Sequence, residues 1–106
     1  MIIYVDIDNT ITIPNSDVDE HGDLDYALSK PRHKNIKKIN KLWRDGHTIV
    51  YWTARGTLSG KDLRELTIQQ LSDWGARYSQ LILNKPYYDL YIDDKVINVR
   101  DWELLP

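Results

Sequence analysis

The chain has 106 residues, enough for one domain with one hydrophobic core and too few for two. With 42% hydrophobic and 28% charged residues it is not a disordered chain, and a net charge of −2 supplies no bulk field for nucleic acid or a membrane surface. The absence of cysteine excludes disulfides and thiolate metal sites, and no stretch approaches the ~20 apolar residues that span a bilayer. The opening Met1–Val5 is too short for a secretory apolar segment and runs straight into Asp6 and Asp8, so a cytoplasmic location is expected.

In chain order, Ile2-Ile3-Tyr4-Val5 is continuous and rich in β-branched residues. It predicts a strand buried on both faces, as in a parallel sheet. Thr10 to Pro31 is polar, broken by Pro14-Asn15-Ser16 and His21-Gly22-Asp23, and long for an idle loop in so small a domain. Ile36, Ile39, Leu42 and Trp43 recur at helical spacing and stop at Gly46. Thr48–Trp52 reads as a second strand. Leu63, Leu66, Leu71 and Trp74 mark a second helix, closed by Gly75, with Ser59 as its expected cap. Leu81-Ile82-Leu83 and Leu90-Tyr91-Ile92 read as further short strands, and Val96-Ile97 as an edge strand. Strands alternating with helices predict βαβ units, a parallel sheet and helices on both faces. Such sheets bind ligands beyond the carboxyl ends of their strands.

Those ends carry Asp6-Ile7-Asp8-Asn9-Thr10, Thr53-Ala54-Arg55, Asn84-Lys85-Pro86 and Asp93-Asp94-Lys95. Singly, each has an ordinary structural explanation: a turn-starting Asp, a β-branched strand end, a solvated lysine, an acidic turn. Jointly they bring carboxylates, a hydroxyl and an ammonium to one rim, and it is the constellation that points to chemistry.

Asp6-x-Asp8-x-Thr10 after an apolar strand, Thr53 ending the next, a later Lys85 and a final Asp93-Asp94 resemble the four motifs of the haloacid dehalogenase-like hydrolases, in order, from Ile2 to about Asp94. The second Asp of the first motif resembles the phosphatase branch. The resemblance implies a Rossmann-like three-layer sandwich with a mainly parallel four- to five-stranded sheet. It also implies that residues 1–106 form one hydrolase domain without a separate cap, residues 9–31 being the squiggle-and-flap region. It further implies a Mg²⁺-dependent phosphatase acting on a small phosphorylated substrate, such as a sugar phosphate. Asp6 would attack phosphorus and become an aspartyl phosphate, while Asp8 would protonate the leaving oxygen and later activate water. Asp6, the Asp8 carbonyl and Asp94 would hold Mg²⁺, with Asp93 the alternative ligand or an orienting group for Lys85. Thr53 and backbone amides near Ile7 would bind phosphoryl oxygens, and Lys85 would let the crowded carboxylates stay ionised. Thr10 belongs to the same substrate-binding turn. Capless relatives borrow a neighbouring subunit as a lid, so a homo-oligomer is expected. No nucleic acid or membrane partner is.

Other signals are weaker. Asp17 to Asp25 superficially resembles a calcium loop, but His21 and Leu28 stand where ligands belong. Arg55 is expected at the rim, against a second anionic group of the substrate, and Tyr87 and Tyr88 in packing. Lys30, Arg32, Lys34, Lys37, Lys38, Lys41 and Arg44 form a basic face, ordinarily just solvated. A nucleotide or polynucleotide-end phosphatase is the competing enzyme. A signalling receiver domain fits less well, since there the acidic pair follows the first strand. A non-catalytic phosphate-binding module has no feature in its favour.

Overall fold

A computed structural model describes all of Met1–Pro106. Strand β1 (Ile2–Val5), helix α1 (His33–Arg44), strand β2 (Thr48–Trp52), helix α2 (Arg64–Asp73), strand β3 (Gln80–Ile82) and helix α3 (Val99–Glu103) follow in order. A 3-10 turn at Tyr26–Leu28 lies between β1 and α1. The sheet is wholly parallel in the order β1-β2-β3, with Ile3 opposite Ile49, Val5 opposite Tyr51, and Tyr51 opposite Leu81. Side chains alternate across a strand, so these residues share one face. They form the core with Ile7 and Ile11 from the turn after β1, Ile36 and Ile39 from α1, and Leu71 from α2.

This is an α/β fold, with two departures from the expected architecture. The sheet has three strands rather than four or five. Both crossovers step the same way across the sheet, and crossovers of one hand stepping one way lie on one face. The helices therefore make one layer on that face; on the opposite face Val50 is buried, but toward the β1 edge Ile2 is 72% and Tyr4 56% exposed. The missing strands have a physical cause. Every residue from Pro86 to Asn98 is exposed, and none up to Ile97 joins a strand or helix. Leu90–Ile92 and Val96–Ile97 have strand-forming side chains, but that preference is realised only against a neighbouring strand and a buried face.

Helix α1 lies where its apolar spacing predicts. Helix α2 begins at Arg64, beyond Ser59, whose hydroxyl instead accepts the Lys61 N–H inside the preceding loop. The sequence pattern gave no warning of α3. Asn98 caps it by accepting the Arg100 N–H, and the Lys38 ammonium donates to the carbonyls of Trp102 and Leu105, each at 2.9 Å, while lying 4.1 Å over the Trp102 ring. A lysine of the basic face thus satisfies the carboxyl end of a helix. Residues 9–31 form an arm folded back on itself, bridged at Thr12–Pro31 and Val18–Leu24. Near its tip Lys61 meets Asp19 at 2.6 Å and Asp23 at 3.0 Å, so an ammonium occupies the acidic run. No helix is long and apolar enough to cross a membrane.

Candidate active site

The turn after β1 is fixed from beneath. Ile7 and Ile11 are fully buried, and the Ile7 carbonyl accepts the N–H groups of Thr10 and Ile11 at 3.1 and 2.9 Å. Asn9 takes the left-handed conformation that closes the turn, a geometry Asn tolerates better than most residues (φ 64°). With Ile7 driven into the core, Asp6 and Asp8 are left on the rim two residues apart. Both are only partly buried.

Asp6 receives the Thr10 hydroxyl on Oδ2 at 3.2 Å and faces the Lys85 ammonium, whose Nζ is 3.6 Å from Oδ1. Lys85 is held by its backbone. Its N–H donates to the Thr53 carbonyl at 3.0 Å, and its carbonyl accepts the Thr57 hydroxyl at 2.8 Å. The ammonium sits 5.3 Å from the rings of both Trp52 and Tyr88, which frame it. Burial pushes the Asp6 carboxyl above its ordinary range. Lys85 opposes that shift, Asp8 adds to it, and the Thr10 hydroxyl opposes it.

Asp8 is gripped by Arg55, with Nη2 at 2.9 Å from Oδ1 and Nε at 3.0 Å from Oδ2. Arg55 is 1% exposed and committed to Asp8, a buried strut that also lines the adjoining cavity rather than a free rim residue. Its Nη1 donates to Thr67 Oγ1 at 3.2 Å and Gln70 Oε1 at 2.5 Å, and its guanidinium lies 4.9 Å from the Tyr26 ring. A guanidinium can be buried only when its donors are met, which explains why α2 turns Thr67 and Gln70 inward beside Leu71. Gln70 in turn donates to the Tyr26 carbonyl at 2.7 Å, tying the arm to α2. Sequence reasoning missed Thr67, Gln70 and Tyr26. The available signal was a pair of polar residues one turn apart on the face that Leu71 buries. Thr53 is also buried, its hydroxyl oxygen accepting the Arg55 N–H at 3.1 Å.

The structure therefore brings Asp6, Asp8, Thr10, Thr53, Arg55 and Lys85 together. It does not bring Asp93 or Asp94. Both are exposed, and Asp93 spends its oxygens locally, on the Tyr91 hydroxyl at 3.1 Å and the Lys95 N–H at 2.9 Å. No three His or acidic side chains gather anywhere in the chain. Both Asp8 oxygens are taken by Arg55, and an ammonium stands beside Asp6. A single chain would offer the Mg²⁺ that the resemblance implies the Asp6 carboxylate and the Asp8 carbonyl, without the third expected ligand, Asp94.

A cavity of about 440 Å³ is lined by Arg55, Gly56, Thr57, Lys61, Arg64 and Asn84, among others. Gly56 has φ +81°, and a Cβ there would stand 2.3 Å from the Lys61 carbonyl oxygen, so the loop that walls the cavity requires glycine.

No family model matches the chain, and no curated protein does. Among solved structures, an MCSG target from Vibrio cholerae is similar. It is 23% identical, with a TM-score of 0.79 over 98% of this chain and 88% of that one. At that identity the likeness establishes the α/β fold alone.

Proposed function

We propose that this chain hydrolyses phosphate monoesters with Asp6 as the covalent nucleophile, as a member of the haloacid dehalogenase-like hydrolases. One observation carries the reading: a partly buried carboxylate at the carboxyl end of β1 faces an ammonium at 3.6 Å, with a second carboxylate two residues on. Phosphate monoesters are dianions that repel nucleophiles, and a positioned cation lowers that barrier by balancing charge as it develops. Lys85 supplies such charge without leaving Asp6. The Asp6 oxygen attacks phosphorus, the ester P–O bond breaks, and its electron pair leaves with the departing oxygen. Asp8, aimed by Arg55, gives that oxygen a proton and then takes one from the water that cleaves the aspartyl phosphate. The Thr10 hydroxyl, bonded to Asp6, lies beside this exchange. The adjoining cavity, with Lys61 and Arg64 on its wall, suits the polar remainder of a small ester such as a sugar phosphate.

The test is turnover of p-nitrophenyl phosphate and a panel of sugar and nucleotide monophosphates, with Mg²⁺, with EDTA, and with Asp6→Asn. The reading predicts turnover of at least one ester that both EDTA and Asp6→Asn abolish. Turnover surviving both would remove the mechanism. A preference for 3′-phosphorylated oligonucleotides over every small ester would select the polynucleotide-end alternative.

A further inference from the structure

Two unfinished features of this chain are complementary. The outer edge of β1 is unpaired, and the strand exposes Ile2 and Tyr4 beside it. The arm from Pro86 to Ile97 takes part in none of the fold's backbone–backbone hydrogen bonds, yet Leu90 is 75%, Ile92 87%, Val96 54% and Ile97 51% exposed. An open edge is a template for another strand, and an exposed run of alternating apolar residues is a strand without a template. Both runs also end alike: Val5 is followed by Asp6, and Ile92 by Asp93 and Asp94.

We infer that a second copy of this chain supplies Leu90–Ile92 as a strand parallel to β1, reciprocally, so that each active site receives Asp93 and Asp94 from the partner. Aligning the two runs at their carboxylates sets Leu90, Tyr91 and Ile92 against Ile3, Tyr4 and Val5. The exchange adds the fourth strand that the single chain lacks. It also brings beside Asp6 the acidic ligand that the resemblance implies and a single chain does not place there.

The chain's own arm is badly placed to fill its own edge. Lys85 is tied to the Thr53 carbonyl, at the carboxyl rim beyond β2. To lie parallel to β1, the chain must first descend the length of the strand, about 10 Å, and cross two strand spacings, about another 10 Å. That is a diagonal of about 14 Å, against about 17 Å for the five steps from Lys85 to Leu90 when fully extended. Little slack is left for the turns at both ends, and a partner's edge imposes no such descent. At the arm's far end, α3 is anchored to α1 through Lys38 and the Arg32–Glu103 pair at 3.2 Å, so the arm stands out as a strap fixed at both ends. Asn84, in the left-handed conformation that Asn tolerates (φ 67°), turns the chain where the arm departs.

The role given to Asp94 rests on the phosphatase reading, whereas the exchange itself rests on the edge and the arm. Two readouts separate them. The chain has no cysteine, so Tyr4→Cys and Tyr91→Cys can be made singly, mixed and oxidised. The inference predicts a disulfide-linked dimer from the mixture, and a dimer or larger assembly of the wild type by analytical ultracentrifugation. A wild-type monomer, no cross-link in the mixture, or a double variant that closes its disulfide within one chain would overturn it. The second readout is co-refolding of Asp6→Asn with Asp94→Asn. Half of randomly formed dimers then carry one intact site in two, so about a quarter of wild-type turnover should return from two inactive proteins. Cross-linking without such recovery, in an active wild type, would overturn the shared site. A wild type that cross-links but turns over no ester would instead indict the phosphatase reading.

Discussion

A carboxyl group withdrawn from water beside another carboxylate holds its proton more tightly, and at Asp6 burial outweighs the opposing pull of Lys85. The sign of the consequence follows from linkage. Because the folded-state value lies above the ordinary 3.8, the fold binds more protons than the unfolded chain in the window above 3.8. Stability is lost as pH rises through the folded value and stays reduced above it. Asp6→Asn removes the charge while keeping the shape. Its melting temperature should exceed the wild type's at pH 8, and the difference should vanish toward pH 4, as thermal unfolding across that range would show. A variant less stable than wild type at pH 8 would mean that Lys85 wins over burial. Tyr51 makes the same point without catalysis. It is fully buried, and its hydroxyl has no hydrogen-bond partner, so the fold carries the desolvation penalty of that group. Tyr51→Phe should gain about 1 kcal/mol in urea unfolding. A loss would show that the hydroxyl is satisfied in solution.

Among the elements, the arm of residues 9–31 depends on a charge supplied from elsewhere. Lys61, in the loop before α2, holds Asp19 and Asp23, and its hydrogen bond is the chief reason the Asp19 carboxyl is lowered to about 2. A lowered value contributes stability that is present above 3.8 and lost as pH falls through about 2. Lys61→Met should therefore make the segment between Asp17 and Asp25 more susceptible to limited proteolysis at pH 7. The wild type should approach that susceptibility only near pH 2, where pepsin reads it. Equal cutting of both proteins at pH 7 would show that the Thr12–Pro31 bridge and the Gln70–Tyr26 bond hold the arm unaided. The elements themselves were unevenly legible in the sequence. β1 and β2 announce themselves as continuous runs rich in β-branched and aromatic residues, and α1 through apolar residues at one helical period. The end of α2 was legible in Trp74 and Gly75, but its start was not, since its buried face carries Thr67 and Gln70 for a guanidinium that only the fold brings there. α3 was invisible because its stability is tertiary, resting on Lys38 from another helix.

At the scale of the whole molecule, the sequence pattern named more of the site than one chain assembles. Asp6, Asp8, Thr10, Thr53 and Lys85 meet because each follows a strand of one small parallel sheet, and strand ends are a place that periodicity can locate. Arg55 was located, but its burial was not legible, since exposure depends on what packs above a residue rather than on its distance from a motif. Asp93 and Asp94 stay apart because the strand that would carry them finds no neighbour within the chain. Nothing local in a sequence says whether a strand's partner belongs to the same molecule. Whatever the assembly, the proposed phosphatase chemistry requires that Asp6 itself become phosphorylated. Borohydride reduces an acyl phosphate to an alcohol, so quenching turnover of p-nitrophenyl phosphate with borohydride and mapping peptides by mass spectrometry locates the phosphorylated carboxylate. Homoserine at position 6, formed only with substrate present, is the predicted result; reduction at another carboxylate, or none during sustained turnover, would contradict it.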